Sequence, residues 1–168
     1  DLLSRVIFGA RVSLGIGFSS VGIAMIAGSF LGLVGGYFGG KWDAVLGRVM
    51  DIFFSFPLLL LAIAIAGMLG PGINNAIAVI AIVYTPFFFR VARGPVLAER
   101  EKEYIQGAHA IGAGNRRILL RHILPNILSP IIVQASVTIA YAILTEASLS
   151  YLGLGTPLLT PSWGTTLN

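Results

Sequence analysis

The chain has 168 residues, 56% hydrophobic and only 11% charged, with a mean hydropathy of +0.89. A soluble domain carries roughly 25% charged residues, so this charge is too sparse for a water-facing surface, and the chain reads as a membrane protein. Cysteine is absent, which excludes disulfides and thiolate metal sites; the net charge of +4 takes its meaning from the side of a membrane on which the cations sit, not from nucleic acid.

The first residues, 1–11, lack the n-region and cleavage site of a signal peptide. With no initiator Met and a Gly/Thr/Pro-rich tail, the chain reads as an internal fragment of a longer protein. Val12 to Gly40 holds no charge, and a bilayer core takes about 20 apolar residues as helix, so this stretch spans. Small residues recur in it at every fourth position: Ser20, Ala24, Gly28, Gly32, Gly36 and Gly40. Residues four apart share a helix face, and small ones there let a second backbone approach closely. Gly28, Gly32 and Gly36 are therefore expected packing positions in a bundle.

"GKWDAVLGRVMD" (40–51) brings four charges and a Trp and reads as a short interfacial loop or helix. Arg48 and Asp51 within it are expected to pair across one helical turn. Charges vanish again from Ile52 to Phe89, and "GPGINN" (70–75) cuts that run with turn residues. The expected result is one helix near 52–69 and another near 76–92.

Residues 90–125 hold seven Lys/Arg and three Glu. Within them, 99–111 can be helical, Gly112 and Gly114 supply a break, and Asn115 is placed to cap a further short helix that begins at Arg116. This connection is longer than a turn needs, and long loops are usually functional or disordered. Asn126 to Thr145 is the fourth apolar span, with Glu146 as the one acid at its end; an ionisable residue there is a functional candidate by default. Either it lines a translocation path or it anchors the following segment by accepting backbone N–H groups. Tyr141, Tyr151 and Trp163 are candidates for the pore or the outer interface, Trp163 for the interface. The tail, 146–168, is uncharged after Glu146 but too broken for a span.

Four spans alternate across the membrane. Residues 40–51 and 90–125 then share one side, with nine of the eleven Lys/Arg, which the positive-inside rule makes cytoplasmic. Residues 1–11, 70–75 and 146–168 face outward.

Enzymatic signals fail on inspection. "GGYFGGK" (35–41) fits the spacing of a phosphate-binding loop, but Trp42 stands where Ser or Thr is needed and the glycines close a hydrophobic helix. His109 and His122 have no acidic or thiol companions suited to a metal. The expected cofactor set of this chain is therefore none.

"QGAHAIGAGNRRILLRHILP" (106–125) resembles the EAA loop of binding-protein-dependent ABC importer permeases. In that pattern E-A-A is followed by three residues, Gly, nine residues and I-x-L-P. Gln106-Gly107-Ala108 stand at the first positions, Gly112 at the glycine and Leu124-Pro125 at the end, while Gln106, Gly107 and His122 depart from it. "DLLSRVIFGARVSLGIG", "GLVGGYFGGKWDAVLGRVMDIFFSFPLLLLAI", "RHILPNILSPIIV" and "EASLSYLGLG" are similar to the second permease subunit of dipeptide, oligopeptide and nickel importers, so the resemblance covers essentially the whole chain.

The resemblance implies an all-α polytopic membrane helix bundle. The chain would be one permease domain (1–168, about four transmembrane helices with cytoplasmic coupling helices) out of a roughly six-helix protein, in a bacterial or archaeal inner membrane. It implies a second homologous permease subunit, cytoplasmic ATP-binding subunits that hold ATP and Mg, an extracytoplasmic solute-binding protein, and lipid, with no nucleic acid. It makes 106–125 a coupling helix docked on the ATPase, through Gln106, Gly107, Ala108, Gly112, Arg116, Arg117, Leu124 and Pro125, and leaves Glu146 as a pore or outer-gate candidate. The rival classes are an ATP-independent secondary transporter or channel, which broken helices and a midplane charge would favour, and a structural membrane subunit.

Overall fold

The computed structural model describes residues 2–157, 160 and 162–166, with side chains from Val6 onward. All regular elements among them are helical: α1 Leu2–Phe38, α2 Gly40–Phe54, α3 Leu58–Leu69, α4 Ile73–Arg100, α5 Glu103–Ala110, α6 Asn115–Ile118, α7 Leu124–Tyr151 and α8 Trp163–Thr166. A π-helical turn, Leu119–Ile123, joins α6 to α7. Pro125 has no N–H, and its ring crowds the carbonyl four residues back, so a widened turn just before it lets the helix continue. The separate short helix expected before the last span is thus the start of that span, a continuous run Asn115–Tyr151.

Three helical runs are long and apolar enough to cross a membrane: Val6–Phe38, Ile73–Arg100 and Asn115–Tyr151. The expected helix over 52–69 is broken. α2 and α3 meet at 92°, and α3, with 12 residues, covers about 18 Å at 1.5 Å per residue. The cause is Pro57, which disfavours helical backbone at the residue before it; it sits at φ −57°, ψ 128° ahead of α3. The expected helix over 76–92 instead runs on to Arg100 through Pro86 and Pro95. Residues 90–100 of the expected coupling loop are therefore helix, and so are 115–125. The tail also begins later than expected, because α7 extends past Glu146 to Tyr151.

α1 and α4 form the central seam. A Cβ at Gly32 would lie 2.6 Å from the carbonyl oxygen of Phe89 and 2.9 Å from the Cβ of Ala92. One at Gly36 would lie 2.9 Å from Val96, and one at Gly28 would overlap the Thr85 carbonyl. Ser20 and Ala24 are fully buried on the same face. Gly40 leaves the ladder: its φ is 53°, no side chain or backbone beyond its neighbours approaches it, and it opens α2 after the turn at Gly39. The "GGYFGGK" stretch accordingly spans the end of α1, that turn, and the start of α2. α7 packs across both helices through Ile127, Ile131, Ala142 and Leu149.

α2 is tied to α4 by ion pairs. Arg93 grips both carboxyl oxygens of Asp43, with Nη2 at 2.6 Å from Oδ2. Arg90 Nη2 donates to Asp51 Oδ1 at 2.9 Å, and its guanidinium lies 3.8 Å from the Phe54 ring centre. The expected Arg48–Asp51 pair does not form: Asp51 faces α4, and Arg48, exposed, has no ion-pair partner among the described residues.

Candidate coupling element and outer polar network

The two ends of the bundle carry different chemistry. At one end α4 passes through the turn Glu101–Lys102 into α5. Ile105 and Ala108 bury one face of α5, leaving Gln106, Gly107, His109 and Ala110 exposed. The helix ends in a glycine cap. Ala113 N–H donates to the Ala108 carbonyl (3.0 Å), Gly112 N–H donates to that of His109 (2.9 Å), and Gly112 has φ 82°. This is the hydrogen-bond pattern of a Schellman motif, so Gly112 is required by backbone conformation. Beyond its chain neighbours, nothing lies within 4 Å of where its Cβ would be.

Asn115 does not act as the expected cap. The cap position is Gly114, without a side-chain bond. The Asn115 oxygen instead accepts from the Tyr37 hydroxyl at 3.0 Å, and that hydroxyl lies 3.2 Å from His109 Nε2, with the Tyr37 and His109 rings stacked. Arg100 Nη1 donates to the Gly36 carbonyl at 3.0 Å, so the last turn of α1 is joined to both the end of α4 and the α5–α6 turn. Asn126 Nδ2 donates to the Tyr104 hydroxyl at 3.0 Å, and Tyr104 in turn donates to Glu99. The Glu99 hydrogen bonds raise Tyr104 above the ordinary phenol value and Lys102 above the ordinary amine value; both protons stay in place at neutral pH. The result is a short rigid helix braced against all three long helices.

A groove of about 460 Å³ opens beside α5, lined by Tyr104, Gly107, Ala108, Ile111, Gly112 and Arg117 among others. Of the residues assigned to docking from sequence, it gathers Gly107, Ala108, Gly112 and Arg117. Gln106 and Arg116 are exposed, with the Gln106 amide donating to the Glu101 carbonyl. Pro125 is exposed at the start of α7. Leu124 is half-buried and points elsewhere, into an apolar groove between α1 and α7.

At the other end Glu146 is 0% exposed. Ser13 Oγ donates to its Oε2 at 2.8 Å and Ser150 Oγ to its Oε1 at 2.7 Å. The network continues outward. Thr156 N–H donates to Ser150 Oγ (3.0 Å), the Thr156 hydroxyl donates to Ser162 (2.9 Å), and Trp163 N–H donates to Ser13 Oγ (3.2 Å). Trp163 Nε1 also donates to the Val6 carbonyl at 3.1 Å, which places this side chain against α1. Gly9, Gly155 and Gly164 let the backbone of the tail lie against α1 and α7, and Gly72 N–H donates to the Gly155 carbonyl at 2.8 Å. Of the two alternatives for Glu146, pore lining or anchoring through backbone N–H groups, the geometry suits an anchor for the tail, but one that accepts from side-chain hydroxyls. Tyr141 and Tyr151 are exposed on α7.

Replacing Glu146 by Ala removes the acceptor for two buried O–H donors, Ser13 and Ser150, although each oxygen keeps the backbone N–H that it accepts. We expect a loss of about 3 kcal/mol, read as a lower melting temperature in detergent and faster proteolysis within 152–166. Glu146→Gln, which keeps an acceptor for one hydroxyl, should lose less than half of that.

The serine–threonine set was only partly visible in sequence. Glu146 and Ser150, four apart on a helix, share a face; Ser13 is brought in by tertiary packing alone. Tyr37 and Arg100 carried no local signal for their roles.

Residues 24–168 match the family described as binding-protein-dependent transport system inner membrane component. Over its full length the chain is 48% identical to the dipeptide transport system permease protein DppC of Alkalihalophilus pseudofirmus and covers 55% of that protein. It is 43% identical to the glutathione transport system permease protein GsiD of Pectobacterium atrosepticum, again over the whole chain and 56% of the relative. The chain therefore spans about half the length of the curated relatives it matches. Among solved structures, a chain of the inward-facing MetNI methionine ABC transporter superposes with a TM-score of 0.79, covering 92% of this chain and 77% of that one at 21% identity. That likeness establishes the fold.

Proposed function

Because the chain belongs to the family of binding-protein-dependent transport inner membrane components, we propose that it forms part of the translocation pathway of an ATP-driven importer. In this reading it passes motion from a cytoplasmic ATPase to the membrane helices and is itself no enzyme: ATP and Mg bind on the ATPase. The observation that carries the reading is α5, a braced helix with a small-residue exposed face and a left-handed glycine end at Gly112. A partner that grips such a helix moves α1, α4 and α7 together, and two bundle arrangements biased by ATP give alternating access.

The contact surface for the ATPase comprises Gln106, Gly107, Gly112, Arg116 and Arg117, the arginines supplying charge-assisted hydrogen bonds; Ala108, on the buried face of α5, supports that surface from beneath, and Leu124 and Pro125 act through the helix they begin. Residues 40–51 and 90–125 face the cytoplasm and 1–11, 70–75 and 146–168 the outside of the cell membrane. The second permease subunit is a homologue of this one, and an extracytoplasmic protein delivers the cargo. The names of the relatives, for dipeptides and for glutathione, suggest short peptides as cargo.

Reconstitution of the full-length subunit with the permease, ATPase and binding protein encoded beside it tests this. ATP-dependent uptake of labelled dipeptide or glutathione that requires the binding protein is the expected result. Uptake driven by an ion gradient without ATP would instead establish the secondary-transporter class.

A further inference from the structure

α2 leaves part of its surface uncovered in a specific way. Trp42, Val45, Val49 and Ile52 are 64%, 61%, 42% and 57% exposed. At about 100° per residue they fall within roughly 80° of arc on one side of the helix. Lys41 and Arg48, both exposed, project onto the edge of that arc. Met50 is buried outside that arc, and the two acids of α2 pair with α4, Asp43 with Arg93 and the still exposed Asp51 with Arg90. No hydrogen-bond or ion-pair partner engages Lys41 or Arg48 among the described residues. The apolar arc of α2 therefore carries the cations Lys41 and Arg48 along one edge, while the exposed acid Asp51, paired with Arg90, lies farther round the helix.

We propose that α2 lies in the cytoplasmic membrane interface and binds anionic phospholipid, with Trp42, Val45, Val49 and Ile52 in the acyl boundary and Lys41 and Arg48 on the headgroup phosphates. The 92° turn into α3 sets α2 across the direction of the helix that enters the bundle. An apolar face rimmed by Lys and Arg is the pattern of an interfacial helix, long cationic side chains reach from such a face to the headgroups, and Trp favours that depth. The charge argues for lipid over protein. Protein interfaces are depleted in Lys, whereas the cytoplasmic leaflet attracts each cation near its surface. The ion pairs to α4 have a second effect: each sets an arginine beside an acid of α2, which offsets the repulsion that Asp43 and the more exposed Asp51 would offer an anionic headgroup.

The inference rests on the sidedness proposed above, but its test does not require transport. A benzophenone amino acid is placed at Val45 or at Val49 of the full-length subunit, assembled with its partners in nanodiscs of mixed phosphatidylglycerol and phosphatidylcholine. Irradiation is expected to give phospholipid adducts by mass, with phosphatidylglycerol enriched above its mole fraction. The Lys41→Gln/Arg48→Gln variant should lose most of that enrichment, bringing the adducts back toward the composition of the lipid mixture. Adducts to protein, no adducts, or adducts that merely follow the lipid mixture would each overturn the proposal. A failure of the importer reading would appear in the uptake assay and leave these adducts unchanged.

Discussion

Gly32→Leu is expected to abolish the folded subunit, while Gly15→Leu leaves it intact. Both residues lie on α1, and both substitutions add the same side chain. At Gly32 even the Cβ would sit 2.6 Å from the Phe89 carbonyl and 2.9 Å from Ala92, so α1 and α4 must part along the seam that holds Phe88, Ala92 and Val96. Overpacking by a single group costs typically 1–3 kcal/mol; Leu adds four carbons against backbone that cannot rotate away, so the loss should exceed about 3 kcal/mol. At Gly15 there is nothing within 4 Å and the position is exposed. Monodispersity on size-exclusion chromatography and melting temperature, measured for both variants in the same detergent, check this. Equal behaviour of the two would show that the seam is not what holds the bundle.

Gly112→Leu should leave the subunit inserted and assembled but cut ATP-driven uptake by about tenfold or more. The cost is conformational: with φ 82° and open space around it, Gly112 is constrained by its backbone alone. A left-handed conformation costs a side chain roughly 1–2 kcal/mol, enough to disfavour the α5 cap and hence the angle between α5 and α6. The leucine would also project into the groove that Gly107 and Arg117 line. Gly112→Asn separates the two effects, because Asn tolerates this conformation best among residues with a side chain; it should keep most of the uptake. Uptake and ATP hydrolysis are read on the same proteoliposomes. ATPase activity that persists while uptake falls is the expected signature.

The long helices were legible because uninterrupted apolar runs need no partner to be recognised. The glycine ladder was legible because its period of four matches one helix face, and a Cβ added at Gly28, Gly32 or Gly36 would run into Thr85, Phe89 or Val96. Gly112 was legible from its place after a helix-compatible run. The break between α2 and α3 had a signal that composition masked: Pro57 lies in a run so apolar that length dominated the reading. α4 and α7 outrun their apolar stretches for the opposite reason. Arg90, Arg93 and Arg100 look like loop residues but sit on a helix that outlasts its apolar part, and two of them are paired with α2. Links such as Tyr37 to Asn115, Arg100 to Gly36 and Ser13 to Glu146 join residues far apart in the chain, and no local pattern announces them.

The central claim is that α5 and its turn receive a cytoplasmic ATPase, and co-purification tests it most directly. The full-length subunit is expressed with the proteins encoded beside it, once unaltered and once with residues 106–112 scrambled. The account predicts that an ATPase accompanies the unaltered subunit and is lost on scrambling, while the partner permease remains bound. An ATPase that stays with the scrambled subunit, or none with the unaltered one, would contradict it.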